Sequence, residues 1–363
     1  MTTAHINRIG TAVPDHDVHT DFVRFARTLL PDAKTRTVFD RMVERAGIAH
    51  RYSYLRPGRV DVGEVDADGF YQRGRFPSTA ARMALYEPQA LRLAQKAAAA
   101  LELGDDHSAL THLIVASCTG FTAPGLDLQL VGALGLRPDI ERTMIGFMGC
   151  AAAVPALRAA HHIVRSDPDA RVLVLSLELS TLHLQETADL EKVLSFLLFG
   201  DGAAAALVTA ESNGIALDGF RAIVIPDSEG LITWHIGDQG FDMHLSGQVP
   251  ARIMRTLKEE LEQPKAAGVL RGRGLADIDL WAVHAGGRTV LDAVEAGLQL
   301  GPHALDTSRG VLNDYGNMSS ATVMFVLQRL LGADASGQRG ARGLAMAFGP
   351  GMVAETFRFR LAG

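Results

Sequence analysis

The stretch TMIGFMGCAAAVPALRAAHHIV (residues 143–164) gives the clearest local indication of the fold. An apolar, strand-like run meets Gly149 and then an alanine-rich segment with helical spacing, so Cys150 is predicted at or just before a helix amino terminus. Unpaired N–H groups and the helix dipole favour a thiolate there, which predicts a lowered pKa for the Cys150 thiol. The alternative is a small buried side chain without chemistry. Pro155 falls about five residues into this helix, which should therefore begin late or bend.

The rest of the chain alternates between apolar runs of strand type and segments with helical spacing. The predicted strands are residues 110–119, 171–179, 202–210, 279–287 and 343–349. The predicted helices are residues 82–103, 151–166, 251–263 and 288–300. This alternation predicts an α/β fold whose sheets are largely covered by helices. A last strand is predicted after a turn at residues 349–351, and the Ser/Asn/Gly-rich segment 210–219 is the best candidate for a boundary between two halves.

Charge and composition exclude several classes of protein. The chain has 363 residues, a formal net charge of −6 and no run of Lys or Arg, so nucleic-acid binding is not predicted. The amino terminus lacks a basic region followed by an apolar stretch, and no window is apolar enough for a membrane span, so we expect a cytoplasmic protein. The two cysteines, Cys118 and Cys150, cannot form a disulfide framework, and neither lies in a C-x-x-C pair.

Two further polar residues follow or precede apolar runs. His284 ends the run LDLWAV and precedes Ala-Gly-Gly, so a strand is predicted to deliver the imidazole into a loop that a ligand can approach closely. The alternative is a histidine satisfied by a backbone carbonyl near a turn. Asn317 lies in a Gly-Asn-Met-Ser-Ser loop before a helix, where capping is the ordinary role of Asn.

Cysteine, histidine and asparagine make sense together in thioester chemistry. The thiolate of Cys150 would carry an acyl group. His284 and Asn317 would donate hydrogen bonds to the enolate oxygen that forms when a malonyl thioester loses carbon dioxide. Such a set needs no metal ion, and none is predicted.

At these residues the chain resembles the chalcone and stilbene synthases, the type III polyketide synthases, over nearly its whole length. The supporting blocks are SCTGFTAPGLD (117–127), GFMGCAAA (146–153), LFGDGAAAALV (198–208), VHAGGRTVLDAVE (283–295), YGNMSSATVMFVL (315–327) and AFGPG (347–351). All six blocks occur in the same order along the chain as in the family, so a chance similarity is excluded.

The resemblance implies a thiolase-like five-layered α-β-α-β-α fold of two related halves, residues 1–214 with the nucleophile and residues 215–363 with His284 and Asn317. It also implies a homodimer that extends an acyl-CoA starter with malonyl-CoA, without a cofactor beyond these CoA thioesters. Cyclisation would then give a pyrone or a resorcinol-type product, and the resemblance to bacterial members makes an alkylpyrone or alkylresorcinol the first expectation.

The same resemblance assigns residues around the nucleophile. Phe199 matches the gatekeeping aromatic between a CoA tunnel and the reaction cavity, whereas Met243 stands where plant members carry a second Phe. Trp234 replaces a small residue of the elongation cavity, which predicts few extensions. The remaining expected cavity residues are Cys118, Thr119 and Pro350.

Two arginines match basic positions that hold the CoA phosphates, Arg41 and Arg45, a task that suits guanidinium groups. The alternative for each is a solvated helix face. Ala123 stands where plant members carry a Met that crosses the dimer interface, so that wall would be built differently here.

Three rivals remain open. A β-ketoacyl-carrier-protein synthase III would perform a single condensation with a carrier protein, and a hydroxymethylglutaryl-CoA synthase would need a Glu acid. A catalytically inactive partner subunit of the same fold is the rival from another class. The blocks around Asn317 and at AFGPG favour the polyketide interpretation.

Overall fold

The protein is described by a computed structural model that covers residues 2–104, 106–272, 274–332 and 339–362. Its strands are β1 (His5–Ala12), β2 (His16–Asp17), β3 (Tyr52–Ser53), β4 (His112–Ser117), β5 (Glu141–Gly146), β6 (Val172–Leu179), β7 (Asp201–Thr209), β8 (Gly214–Val224), β9 (Ile232–Gly237), β10 (Gly240–Leu245), β11 (Leu280–Val283), β12 (Arg342–Gly349) and β13 (Val353–Ala362). Its helices are α1 (His19–Leu29), α2 (Ala33–Arg45), α3 (Thr79–Ala99), α4 (Asp106–Ala109), α5 (Leu126–Ala133), α6 (Ala153–Ser166), α7 (Leu190–Leu198), α8 (Val249–Glu262), α9 (Arg288–Leu298), α10 (Asp306–Tyr315) and α11 (Thr322–Gly332).

One mixed sheet runs through the molecule. Within the described residues it has nine strands, in the order β11-β12-β13-β8-β1-β7-β6-β4-β5. Each half of the chain contributes one end with the same pattern of two antiparallel pairings and then a parallel one: β1-β7-β6-β4 corresponds to β8-β13-β12-β11. The halves meet where β1 pairs with β8 over two residue pairs only, His5 with Ala216 and Ile6 with Ile215.

Alternating side chains divide the core into layers. Along β6, Val172 and Val174 belong to a buried cluster shared with α6 and α11, whereas Leu173 and Leu175 pack towards α3. Strand β12 of the other half alternates in the same way between that central cluster and one containing α8 and α9. The two halves of this sheet, joined only at β1 and β8, therefore form two layers. The order is outer helices, sheet layer, central helices, sheet layer, outer helices, because a strand with two buried faces needs packing on each side. The five-layered fold of two related halves is confirmed, while the division at residue 214 stays a prediction.

The predicted elements are present in the structure. The five predicted strands correspond to β4, β6, β7, β11 and β12, and the four predicted helices to α3, α6, α8 and α9. Helix α6 begins at Ala153, so Pro155 lies in its first turn, where a missing N–H costs no helical hydrogen bond. Among the described residues, every helix is too short or too polar to cross a bilayer.

Candidate active site

Cys150 lies in a sharp turn between β5 and α6. Residues Gly149–Ala151 form one 3-10 turn ahead of the helix. Gly149 has φ = 56°, and a Cβ atom there would lie 2.4 Å from Cδ of Pro350, so the position requires glycine. Phe147 also has a positive φ of 53°, a conformation that is costly for an aromatic residue and is typical of functional sites. The turn places Cys150 just before the amino terminus of α6, the position that the sequence pattern predicts.

Burial dominates the electrostatics of the Cys150 thiol. Removal from water raises its pKa to about 11, although hydrogen bonding with Ser319 and Asn317 opposes this rise. The lowered pKa that we expected is therefore wrong for this state of the protein, because the sequence indicates the helix terminus but not the depth of burial. A thiol with this pKa is protonated at neutral pH and needs a base before it can attack.

His284 supplies a neutral imidazole. It directly follows β11, and its main-chain N–H donates to the carbonyl of Met346 at 2.8 Å. Its side chain is only 2% exposed, and burial lowers its pKa to about 3. Within the described part of the chain, neither Nδ1 nor Nε2 has a hydrogen-bond partner. A buried imidazole with two open nitrogens can accept one proton and donate another.

His183 provides the contrast, because it is equally buried but fully partnered. Its Nε2 lies 2.6 Å from the carbonyl of Thr119, and its Nδ1 accepts the main-chain N–H of Phe241 at 3.0 Å. Stacking on the ring of Phe241, 4.2 Å away between centroids, fixes it further. A histidine whose ring nitrogens are all hydrogen-bonded within the fold is therefore found at position 183 and not at position 284.

Asn317 is held by its own neighbours. Its Oδ1 accepts the main-chain N–H of Ser319 at 2.8 Å, and its Nδ2 donates to the carbonyl of Gly286 at 3.1 Å. The capping role expected of such an Asn is therefore present, at the turn that leads into α11. The same bonds fix the amide plane 4.0 Å from the sulfur of Cys150, measured at Oδ1. An amide nitrogen carries two hydrogens, and Gly286 takes one of them.

One cavity of about 730 Å³ contains this set. Its lining includes Cys150, His284, Asn317, Phe199, Cys118, Thr119, Trp234, Met243 and Pro350, which are all the residues that the sequence assigned to chemistry or to the cavity. The structure thus brings together residues that are spread over 233 positions of the chain, from 118 to 350. Their catalytic and specificity roles stay predictions.

The cavity wall combines aromatic and flexible side chains. Trp234 and Met243 are paired across the β9–β10 hairpin, and both face the cavity. The indole stands edge-on to His183 at 5.8 Å and to Phe241 at 6.3 Å. Phe199 directly follows α7 and forms an isolated bridge with Asn317, which links this wall to the polar set.

Cys118 is an inert part of the lining. Its sulfur accepts the main-chain N–H of Gly149 at 3.1 Å. Burial and the neighbouring carboxyl of Glu178 raise its pKa well above the usual value, so it stays a thiol at neutral pH.

A groove of about 1110 Å³ adjoins the cavity and shares Leu245, Val249, Gly286 and Val290 with it. Arg45 lines this groove, and its role in holding the CoA phosphates stays a prediction. Arg41, one turn earlier on α2, is exposed but does not line it. Arg288, which sequence reasoning missed, lies on the same rim and donates to the carbonyl of Arg45 at 3.3 Å.

Within the described residues, no cluster of three or more His, Cys, Asp or Glu side chains could hold a metal ion.

Glu178 was also missed. It is fully buried, and its carboxylate accepts from the main-chain N–H of Cys118 and from the hydroxyls of Thr119 and Ser320 at 2.5–2.9 Å. Burial nevertheless raises its pKa to about 7. It ties the two halves of the chain together beneath the cavity. A signal was present, because a charged residue inside the otherwise apolar run LVLSLEL is unusual.

Known proteins share this architecture along the whole chain. The C-terminal type III polyketide synthase domain of Steely1 from Dictyostelium superposes with a TM-score of 0.88 at 22% identity, over 99% of this chain and all of that one. PKS-I from the brown alga Ectocarpus siliculosus gives 0.86 at 29% identity and 99% coverage of both chains. The I375F mutant of CsyB gives 0.85 at 22% identity, over 99% of this chain and 100% of that one.

Two sequence-family models match as well. The N-terminal domain of chalcone and stilbene synthases matches residues 1–212, and the C-terminal domain matches residues 219–362. Together they cover nearly all of the chain, including the turn of Cys150 and the loops of His284 and Asn317. The chain belongs to the chalcone and stilbene synthase family and is a polyketide synthase of type III, an enzyme of the acyltransferase class.

Proposed function

We propose that this enzyme loads an acyl group from acyl-CoA onto Cys150, extends it with malonyl-CoA and cyclises the product to a pyrone or a resorcinol-type ring. The observation that carries the proposal is the pair of open nitrogens of His284, buried in the cavity that Cys150 and Asn317 also line. An unpaired buried polar group costs about 1–3 kcal/mol, so its retention is explained when a ligand supplies the partner.

Acyl transfer follows from the protonation states. Because burial raises the pKa of Cys150 to about 11, the thiol must lose its proton as it attacks the thioester carbonyl. His284 is neutral, with a pKa of about 3, and accepts that proton. The bond between the carbonyl carbon and the CoA sulfur breaks, and the CoA thiolate leaves with the proton from His284. The products are an acyl-Cys150 thioester and free CoA.

Condensation uses the same two polar groups. Malonyl-CoA loses carbon dioxide, and its electron pair forms the enolate of acetyl-CoA, whose oxygen accepts hydrogen bonds from His284 and from Nδ2 of Asn317. The enolate carbon attacks the acyl-Cys150 carbonyl and displaces the thiolate, which gives a β-ketoacyl-CoA. The bulk of Trp234 and Met243 in the cavity lining supports one to three extensions, and the groove beside Arg45 supports a CoA-linked substrate.

A second copy of the chain belongs to the proposed active form. Strand β5 is the last in the sheet, so its outer edge has no partner strand within the described residues. Around it lie apolar side chains that are 37–54% exposed: Phe121, Leu128, Met144, Phe147 and Met148. An open sheet edge with exposed apolar side chains beside it is stable in water when it is covered, and pairing with the same strand of a second copy does this symmetrically. Light scattering should give the mass of a dimer, and a monomer would contradict the proposal.

The cytoplasmic location of the protein stays a prediction.

Acylation of the enzyme is the direct test. Purified protein is incubated with acyl-CoA starters, and the intact mass is compared with that of Cys150→Ala. We expect one acyl group per chain, lost in the variant. Labelling that requires an acyl carrier protein would favour the single-condensation rival, and no labelling from either donor would favour an inactive subunit. Cys118→Ala is the matched control and should label like the unchanged chain.

A further inference from the structure

The main chain joins Phe199 to Asn317, and the side chains of both residues line the same cavity. The main-chain N–H of Asn317 donates to the carbonyl of Leu198 at 2.8 Å, and the N–H of Gly200 donates to the carbonyl of Asn317 at 3.0 Å. We term this pair of hydrogen bonds the bridge. Because the bridge fixes the main chain of Asn317, it also fixes the origin of the amide side chain that lies 4.0 Å from the sulfur of Cys150.

One buried arginine is bonded to this region. Arg51 is 2% exposed, and its Nη1 donates to the carbonyls of Phe196 and Phe199 at 3.0 and 2.5 Å. The carbonyl of Phe196 is one of those that the end of α7 leaves without a helical partner, and a cation is favoured at such an end. Phe199 lies between Leu198 and Gly200, the two residues that bond to Asn317. Arg51 therefore holds the main chain at the centre of the bridge.

The stem of the same side chain contacts the glycines that flank the bridge. Gly316 precedes Asn317 and has φ = 67°, and a Cβ atom there would lie 2.7 Å from Cγ of Arg51. Gly200 follows Phe199, and a Cβ atom there would lie 3.4 Å from Cβ of Arg51. Glycine at these two positions lets the main chain on both sides of the bridge approach the arginine closely.

No opposite charge explains the burial of Arg51. Within the described residues its guanidinium group bonds to no carboxylate: Nε donates to Nδ1 of the buried His19 at 3.0 Å, and Cζ lies 4.5 Å from the centre of the Phe22 ring. Burial lowers the pKa of Arg51 to about 9, so it stays charged at neutral pH. A buried cation without a carboxylate is costly, and an apolar side chain would fill the same space more cheaply. The cost is offset by its donor contacts, two of which end beside the bridge.

We propose that Arg51 is a positioning residue for the condensation step, which holds the bridge so that the amide of Asn317 stays in place to donate to the enolate oxygen. This rests on the proposed function and adds to it a residue outside the lining of the cavity of about 730 Å³. His284 follows β11 and takes no part in the bridge. Loss of Arg51 should therefore slow decarboxylation of malonyl-CoA more than the transfer of the acyl group to Cys150.

The test compares these two partial reactions. Arg51→Met keeps the stem and removes the donors, so kcat for decarboxylation should fall at least about tenfold at unchanged KM, because small displacements of a reacting group are costly. Single-turnover acylation of Cys150 should stay close to that of the unchanged enzyme. Arg51→Lys keeps a cationic donor and should recover part of the loss. Arg82→Met is the matched control, because Arg82 is equally buried and donates to the carbonyls of Leu182 and Leu184, which take no part in the bridge.

A double-mutant cycle decides whether Arg51 acts through Asn317. Added to Asn317→Ala, Arg51→Met should cause little further loss of the residual decarboxylation, since no amide remains to be positioned. An additive loss, equal losses in acylation and decarboxylation, or the same profile from Arg82→Met would overturn the proposal and leave Arg51 as a packing residue.

Hydrogen exchange examines the bridge without turnover. Protection of the main-chain amides of Gly200 and Asn317, measured by mass spectrometry of peptides, should fall in Arg51→Met and not in Arg82→Met. Equal protection in the two variants would overturn the proposal. If the unchanged enzyme neither takes up an acyl group nor releases carbon dioxide, the proposed function fails, while the exchange comparison still decides whether Arg51 holds the bridge. Arg51→Lys replaces Arg51→Met in every comparison, with the same signs expected, if circular dichroism shows that the latter is unfolded.

Discussion

Replacement of Trp234 by glycine should lengthen the product. The indole lies on β9, faces the cavity of about 730 Å³ and is held edge-on by His183 and Phe241. Removing it opens space beside the growing chain without touching Cys150, His284 or Asn317. Because the enlarged cavity can hold a longer intermediate, at least one further malonyl unit should be added before cyclisation.

The cost in stability can be worked from burial. A fully buried aromatic side chain removes about 150–250 Å² from water, which is worth about 4–6 kcal/mol at about 25 cal/mol per Å². Trp234 is only partly buried, so about half of this, about 2–3 kcal/mol, should be lost. For a chain of 363 residues this corresponds to a fall in Tm of about 3–4 °C. The variant should therefore remain folded at assay temperature.

The assay is liquid chromatography with mass spectrometry of the products from one acyl-CoA starter and labelled malonyl-CoA. Ile236→Gly is the matched control, because it places glycine in the same strand at a side chain that is 54% exposed. An unchanged number of incorporated malonyl units in a folded, active Trp234→Gly enzyme would refute the assignment of Trp234 as the limit on chain length.

Three other predictions concern the polar groups. His284→Ala should slow decarboxylation of malonyl-CoA at least about 100-fold, since a hydrogen-bond donor to the enolate oxygen is lost, and release of labelled carbon dioxide measures this; a rate within a few-fold of the original would contradict it. Cys118→Ala should keep close to full activity and lose no reactive thiol by iodoacetamide titration, because burial keeps that sulfur protonated; loss of one rapidly alkylated thiol would count against this. Burial raises the pKa of Glu178 from 4.5 to about 7, so the folded state binds more protons than the unfolded chain between these values. The carboxyl thus costs stability as pH rises from 4.5 to 7, and the gain in unfolding free energy from Glu178→Gln should be larger at pH 8 than at pH 5 in urea titrations; an equal effect at both pH values would argue against a titrating carboxyl.

The reacting set could be predicted from the sequence because each member stands next to a regular element. Cys150 follows a strand and precedes a helix, His284 ends a strand, and Asn317 precedes α11. Hydrophobic periodicity and small residues identify such junctions locally. That all three line one cavity came from the family resemblance, since periodicity does not report distance in space.

Other features depend on tertiary structure and left little local signal. The pKa of Cys150 follows burial by groups far along the chain, which outweighs the helix terminus. The junction of the halves rests on two residue pairs between β1 and β8, too few to leave a pattern. A cavity of about 630 Å³ forms where the segments around Phe22, Leu55 and Leu184 meet, and the sequence of each segment is typical of ordinary core.

The most direct test of the account is mass spectrometry of the products that purified enzyme makes from malonyl-CoA and a panel of acyl-CoA starters, beside Cys150→Ala. The account predicts pyrones or resorcinol-type products from the unchanged enzyme and none from the variant. Absence of any malonyl-dependent product from every starter, or equal product from the variant, would contradict it.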